Sequence, residues 1–145
     1  FPVSVAPLAT GDDGTAPAAP VSTRSLLLIE DEVTLRSAIS RFLRNSGYVV
    51  DVAEGGADAL DLLAQRSYDL ILLDLRMKGL TGEQVYELIE TRNPDQARRV
   101  VFMTGDLHSG TASRFIRMTG RSVLAKPFTL LELETRVAQL IQESR

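Results

Sequence analysis

The sequence predicts an α/β fold in which a parallel sheet is built from five strand–helix units. From Arg24 onward, short apolar runs alternate with segments that have the apolar period of a helix. The run from Leu70 to Leu73 is apolar at every position, as expected of a central strand with helices on both faces. Short connections between the segments favour right-handed crossovers, and hence strands that all run in one direction.

Residues 1–24 differ in composition from the rest of the chain. They are dominated by Ala, Pro, Gly, Thr, Ser and Val, and such a segment cannot bury enough apolar surface to offset its chain entropy. We interpret residues 1–24 as a linker or tail and residues 25–145 as one folded domain. An expression remnant or a disordered tail is the alternative interpretation. Because the chain begins with Phe1, we expect it to be an excised or processed fragment.

The first two units each combine a short strand with an amphipathic helix. Residues 26–29 form the first predicted strand, and the helix after it ends at Asn45-Ser46-Gly47, a combination typical of helix C-termini. Residues 48–53 form the second strand, which is followed by a helix through about Arg66. The residues predicted to face the core from these helices are Leu35, Ala38, Ile39, Phe42 and Leu43, then Leu60, Leu63 and Ala64.

The third unit begins with the apolar strand and ends in a helix with clear terminal signals. Asp74 lies where that strand is predicted to emerge from the core. Thr81 and Gln84 have the spacing of a capping box, and Asn93-Pro94 is predicted to end the helix. The apolar stripe of this helix consists of Val85, Leu88 and Ile89.

The last two units complete the predicted sheet. Residues 99–104 form strand four, which leads through a loop to a short helix containing Phe115. Residues 122–125 form strand five, and Thr129 and Glu132 then provide a second capping box for the final helix. The core face of that helix consists of Leu133, Val137, Leu140 and Ile141.

Composition limits the classes of function. At 145 residues with a net charge of -3, the chain has the length of one domain and no charge signature for binding nucleic acid or an anionic membrane. It has no cysteine and one histidine, His108, which excludes thiolate and multi-histidine metal sites. The lack of cysteine fits a reducing compartment, and no apolar run approaches the roughly 18–20 residues of a bilayer-spanning helix. We therefore expect a cytoplasmic domain, which leaves open a membrane anchor elsewhere in a parent protein.

Polar residues follow four of the five predicted strands at their carboxyl ends. In parallel sheets of this kind, the functional site lies at those ends, beside the point where the strand order reverses. We therefore expect a single site that contains Glu30, Asp31, Asp74, Thr104 and Lys126.

The chemistry of these side chains favours phosphoryl transfer. Three carboxylates in one place repel one another, and a divalent cation with oxygen ligands, Mg²⁺ or Mn²⁺, relieves that repulsion. Such an ion and Lys126 would both neutralise charge that develops on a phosphoryl group. The Thr104 hydroxyl and the Gly105 amide are suited to hydrogen-bond phosphoryl oxygens. We predict that Asp74 is a nucleophile that accepts a phosphoryl group.

Four short motifs follow one another at the predicted strand ends. They are Glu30-Asp31, Asp74 within the segment from Leu72 to Met77, Thr104-Gly105, and Lys126-Pro127-Phe128. With these motifs, residues 25–143 resemble the receiver domain of two-component response regulators. The resemblance implies a doubly wound, flavodoxin-like (βα)5 fold with strand order 2-1-3-4-5.

The resemblance also implies a role for each site residue. Asp74 would take a phosphoryl group from the phosphohistidine of a histidine kinase and lose it by hydrolysis. Asp31 and Asp74 would bind the metal directly, Glu30 would act through water, and the main-chain carbonyl of Arg76 would complete the protein ligands. The peptide bond between Lys126 and Pro127 is usually cis in this family. The implied partners are the histidine kinase and a histidine phosphotransfer protein, without nucleic acid or membrane contact, and a homodimer is an open alternative.

Two residues depart from the pattern of the family. Val123 stands where an aromatic residue usually moves inward with the threonine, so that switch lacks its aromatic partner here. Lys78 stands where proline is common, a change expected to loosen the loop and leave the chemistry intact. In addition, Arg76 and Asp106 are predicted to pair across the mouth of the site, and we hypothesise that this pair slows hydrolysis of phosphorylated Asp74. The alternative interpretation is that they are two solvated surface charges that contribute little.

The wider role of the domain admits several interpretations. The N-terminal linker favours the C-terminal receiver of a hybrid sensor histidine kinase, in which kinase activity belongs to the parent chain and the receiver catalyses only its own phosphorylation and dephosphorylation. A stand-alone single-domain regulator is the alternative, because the chain ends soon after the last helix. A Mg²⁺-dependent phosphatase with an aspartyl nucleophile is disfavoured, since Arg76 stands where such enzymes place a second acid. The complete acidic set also disfavours a receiver that serves only as a scaffold.

Overall fold

The computed structural model describes residues 24–108 and 110–143, so the expectations for residues 1–23 lie outside it. Within these ranges the chain forms five strands and six helices. The strands are β1 (Ser25–Ile29), β2 (Val49–Ala53), β3 (Leu70–Asp74), β4 (Val100–Thr104) and β5 (Ser122–Ala125). The helices are α1 (Val33–Asn45), α2 (Gly56–Gln65), α3 (Gly82–Arg92), α4 (Pro94–Ala97), α5 (Gly110–Thr119) and α6 (Leu130–Glu143).

The strands form one parallel sheet in the order β2-β1-β3-β4-β5, which confirms the predicted topology. The register pairs Asp74 with Met103, and Thr104 with Ala125. The carboxyl ends of β3, β4 and β5 are therefore nearly level, and the residues that follow them share one edge of the sheet. At this edge the peptide bond between Lys126 and Pro127 is cis, as the resemblance implied.

Helices cover both faces of the sheet, and each face has its own apolar core. In β3, Ile71 and Leu73 pack on one face, whereas Leu70 and Leu72 pack on the other. All five residues of β3 are buried, which explains why this strand shows no alternation of apolar and polar residues. Buried helix residues on the first face are Ala59, Val85, Tyr86, Ile89, Ala97 and Ile116, and those on the second are Ile39, Leu43, Leu133, Val137 and Ile141.

Most of the predicted helical faces are correct, with two exceptions. Ala38 and Ala64 were expected to face the core, but both are exposed. In α1 the buried positions include Ile39 and Leu43, and in α2 they are Gly56 and Ala59, so Ala38 and Ala64 lie to the side of each buried face. Because alanine gains little from burial, its position in a helical pattern is a weak guide to which way it points. Phe115 does pack inward, as expected, with its ring in edge contact with Tyr86 at 5.9 Å.

The ends of several elements differ from the predicted ends by one residue. β2 begins at Val49, because the Tyr48 amide donates to the Leu43 carbonyl at 3.2 Å in the turn that ends α1. Both predicted capping boxes are present. α3 ends at Arg92 as expected, but the prediction missed α4, which starts immediately afterwards at Pro94.

Candidate functional site

The five polar residues predicted from the strand ends lie at one edge of the sheet. Asp74 and Thr104 are the last residues of β3 and β4. Glu30 and Asp31 follow β1, and Lys126 follows β5. Carboxylate oxygens of the three acids, one from each, all lie within 4.8 Å of one another. The topology therefore gathers residues that are up to 96 positions apart in sequence.

The acids are unusually well buried for charged residues. Glu30 is 1% exposed and Asp74 is 3% exposed, whereas Asp31 lies half-buried at the rim. Carboxylates at this depth need charged or hydrogen-bonding partners to offset lost hydration. The cavity above them, of about 470 Å³, is lined by Glu30, Asp31, Glu32, Asp74, Arg76, Gly105, Asp106 and Lys126.

Lys126 bridges the two most deeply buried acids. Its Nζ lies 3.1 Å from Glu30 Oε1 and 3.2 Å from Asp74 Oδ2. Burial alone would lower the pKa of Lys126, but the charge of Asp74 and the hydrogen bond to Glu30 outweigh that effect and raise the pKa above its usual value. Burial and then the charge of Asp74 raise the pKa of Glu30, against the opposing hydrogen bonds from Glu32 and Lys126. One ammonium group therefore only partly offsets the cost of the buried acids.

One backbone amide donates to each of the three acids. The Arg76 amide donates to Asp74 Oδ1 at 3.1 Å, and the Glu32 amide donates to Glu30 Oε2 at 3.1 Å. The third amide is that of Lys78, which donates to Asp31 Oδ2 at 3.0 Å. The loop that follows β3 thus contacts the acids through its main chain.

Thr104 occupies a position beside the acidic cavity. Its side chain is buried, and its Oγ1 accepts a hydrogen bond from the Asp106 amide at 3.1 Å. It lines an adjoining cavity of about 250 Å³ together with Arg76 and Thr111. The Thr104 hydroxyl therefore uses one of its two lone pairs to accept from the Asp106 amide and keeps its proton available for donation.

The predicted pair across the mouth of the site is present. Arg76 Nη2 lies 3.1 Å from Asp106 Oδ2. Arg76 is mostly exposed, and Asp106 is less so. Both residues line the acidic cavity, so the pair spans it at the solvent side.

Other singled-out residues lie outside the acidic cavity. Val123 is half-buried and packs against the core on the same side as Phe115. His108 is exposed in the loop between β4 and α5. Sequence reasoning missed Arg36, which donates from Nη1 to the Glu30 carbonyl at 3.0 Å and fixes the chain as it leaves β1. No sequence signal distinguishes Arg36 from the other arginines of the chain.

The donor set fits a hard divalent cation. Asp31, Asp74 and Glu30 offer oxygen atoms close enough to serve one ion, and Mg²⁺ uses a few carboxylates together with water. An ion there would offset the repulsion that the buried acids and Lys126 leave uncompensated.

The comparison with known families agrees with this architecture and site. The sequence profile of the response regulator receiver domain matches residues 26–138. The chain therefore belongs to the receiver domain family of two-component response regulators, whose typical role is to accept a phosphoryl group in signal transduction. Receiver domains bind Mg²⁺ through acidic residues and interact with histidine kinases or phosphotransfer partners.

Relatives include both regulators and a kinase. Sensor histidine kinase AruS of Pseudomonas aeruginosa is 30% identical over 92% of this chain and 14% of its own length. Transcriptional activator protein PfeR of the same species is 33% identical over 83% of this chain and 38% of its own length. Response regulator protein TrrA from Thermotoga maritima, solved with Mg²⁺ and BeF, is 28% identical with a TM-score of 0.69, covering 81% of this chain and 98% of that chain. The chain thus spans well under half of the length of these two curated relatives.

Among residues 24–108 and 110–143, no helix is both long and apolar enough to cross a membrane.

Proposed function

We propose that Asp74 is the phosphoacceptor of this receiver domain and that the reaction depends on Mg²⁺. The observation that carries the proposal is the position of the Asp74 carboxylate. Asp74 is the last residue of the central strand, and its carboxylate lies at an open cavity. The carboxylate pairs with Lys126 at 3.2 Å and lies beside two further acids. A buried aspartate in such a place is costly for stability, which points to chemistry as the reason for it.

In the proposed reaction, an Asp74 oxygen attacks the phosphorus of a kinase phosphohistidine. The new O–P bond forms as the P–N bond breaks, and the imidazole leaves. Lys126 holds positive charge beside the transferring group, and the Thr104 hydroxyl and the Gly105 amide donate to its oxygens in the product. Mg²⁺, bound by Asp31, Asp74, the Arg76 carbonyl and, through water, Glu30, would supply further charge neutralisation. Attack by water on phosphorus then releases inorganic phosphate and restores the Asp74 carboxylate.

We further propose that residues 1–24 link this receiver, residues 25–145, to a histidine kinase in one parent chain. The match to sensor histidine kinase AruS, over 14% of its length, supports this arrangement. A stand-alone single-domain regulator is the alternative, and the match to the transcriptional activator PfeR adds a third possible arrangement, a receiver joined to a different output domain. Comparing phosphotransfer to the receiver from a kinase in cis and in trans separates these arrangements.

The phosphatase alternative loses further support from the geometry. The residue two positions after Asp74 is Arg76, whose side chain pairs with Asp106. A guanidinium stays protonated at all accessible pH values and does not act as a general acid.

The test is covalent labelling with small phosphodonors. The domain is incubated with Mg²⁺ and either acetyl phosphate or phosphoramidate, whose P–N bond resembles that of phosphohistidine, and its intact mass is measured. We expect a phosphate-sized gain that is absent from Asp74→Asn and abolished by EDTA. Asp95→Asn, a change at an exposed aspartate in α4, serves as the matched control and should label normally. Equal labelling of wild type and Asp74→Asn, or no labelling with either donor, would refute the proposal.

A further inference from the structure

The loop between β3 and α3 contacts Asp31 through one backbone group. The Lys78 amide donates to Asp31 Oδ2 at 3.0 Å across a sequence separation of 47 residues. The Lys78 side chain is exposed, so the contact depends on the main chain rather than on the ammonium group. Proline at this position would have no N–H to donate.

The structure of the loop fixes the direction of this amide. Leu75 and Met77 are buried in the core beneath the loop, at 6% and 9% exposure. Gly79 has a φ of 74°, a left-handed conformation that glycine adopts without strain, and it turns the chain immediately after Lys78. The Lys78 amide is therefore held in place by the buried side chain of Met77 before it and by the turn at Gly79 after it.

The three acids differ in how many of their carboxylate oxygens accept a hydrogen bond or ion pair. Glu30 and Asp74 have a donor on each of their two oxygens, from Lys126 and from the amides of Glu32 and Arg76. Asp31 has a donor on Oδ2 alone. In the part of the chain that the structure describes, Oδ1 of Asp31 is thus the one carboxylate oxygen of the three acids to which no group donates, and it is the oxygen left for a cation.

We infer that the Lys78 amide is a positioning group for the metal site: it holds Asp31 by Oδ2 and leaves Oδ1 to bind Mg²⁺. This inference rests on the proposed metal site. Partners that orient a metal ligand typically change metal affinity by about 10–100-fold when they are lost. Glu30 and Asp74 are buried and contact Lys126, whereas Asp31 is half-buried and has no contact with Lys126 among the described residues. The orientation of the Asp31 carboxylate therefore depends more strongly on the Lys78 amide.

The test compares Lys78→Pro with Lys78→Ala. Proline removes the N–H, whereas alanine keeps it and removes only the side-chain charge. Mg²⁺ affinity is measured for the unphosphorylated domain by following amide NMR shifts during a titration with MgCl₂. We expect Lys78→Pro to weaken binding about tenfold. Lys78→Ala should change Mg²⁺ affinity by less than about threefold, because an exposed charge is strongly screened. The direction should be toward tighter binding, because the variant lacks a positive charge that repels the cation.

A second measurement on the wild type keeps the test decisive if Lys78→Pro disturbs the loop. A scalar coupling across the hydrogen bond, between the Lys78 amide nitrogen and the Asp31 carboxyl carbon, should be present both without Mg²⁺ and at saturating Mg²⁺. Loss of the coupling on Mg²⁺ binding would overturn the inference, because the amide would then compete with the metal. Equal affinities of the two variants would overturn it as well, while leaving the metal site intact. A wild-type domain that does not bind Mg²⁺ would overturn the metal site itself.

Discussion

The start of α3 packs closely against the main chain of Asp74, so we expect that a side chain at Gly82 would destabilise the domain. A Cβ added at Gly82 would lie 2.5 Å from the Asp74 carbonyl oxygen and 2.5 Å from Leu75 Cα. Both are backbone atoms of the central strand's exit, so neither can rotate away as the end of a side chain would. Gly82→Ala must therefore move α3 or the backbone that carries the phosphoacceptor. Overpacking of this kind typically costs about 1–3 kcal/mol.

Gly110→Ala provides the matched control. Gly110 also begins a helix, α5, and a Cβ there would meet nothing within 4 Å. Both changes reduce the entropy of the unfolded chain by the same amount, so the difference between them isolates the steric cost. Urea unfolding should find Gly82→Ala less stable than Gly110→Ala by about 1–3 kcal/mol. Equal stabilities would refute the reasoning, since α3 would then accommodate a methyl group without displacing Asp74.

Two further predictions concern polar contacts. Arg76→Ala and Asp106→Ala should each shorten the lifetime of the phosphorylated domain, which is followed by intact mass after the donor is removed. Each should change the free energy of unfolding by less than about 1 kcal/mol, because the ion pair is exposed. Unchanged lifetimes in both variants would contradict the predicted role. Gln96→Ala should destabilise the domain by about 1–3 kcal/mol in urea, because the buried Gln96 side chain bonds both the amide and the carbonyl of Tyr68, at 2.8 and 3.2 Å. Gln139→Ala, at an exposed position, should have little effect, and equal losses would count against the explanation.

The features that the sequence predicted best are those that depend on burial and chain order. A strand that is apolar at every position, as β3 is, requires cover on both faces, and alternation with helices then makes the sheet parallel. Once the sheet is parallel, the polar residues that follow the strands must lie at one edge. Glu30, Asp74 and Lys126 were therefore predictable as neighbours, although the first and the last are 96 positions apart in sequence.

The short helix α4 illustrates what the pattern could not predict. Asn93-Pro94 correctly marks the end of α3, but proline is also favoured at the first position of a helix. A helix of four residues is too short to show an apolar period, so the sequence gives no sign of the second role. Gln96 is buried there because its side chain bonds the Tyr68 main chain, and a backbone partner has no sequence signature.

The same limit applies at the site, where backbone amides of Glu32, Arg76 and Lys78 contact the acids. Every residue except proline carries an N–H, so sequence alone does not say which amides will point inward. Lys78 is the informative exception, because the resemblance drew attention to its place in the loop. The expectation that Lys78 loosens the loop stays a prediction, and the structure adds that the Lys78 amide donates a hydrogen bond to Asp31. A residue that departs from a family's proline is therefore worth examining for the hydrogen bond it gains as well as for the rigidity it loses.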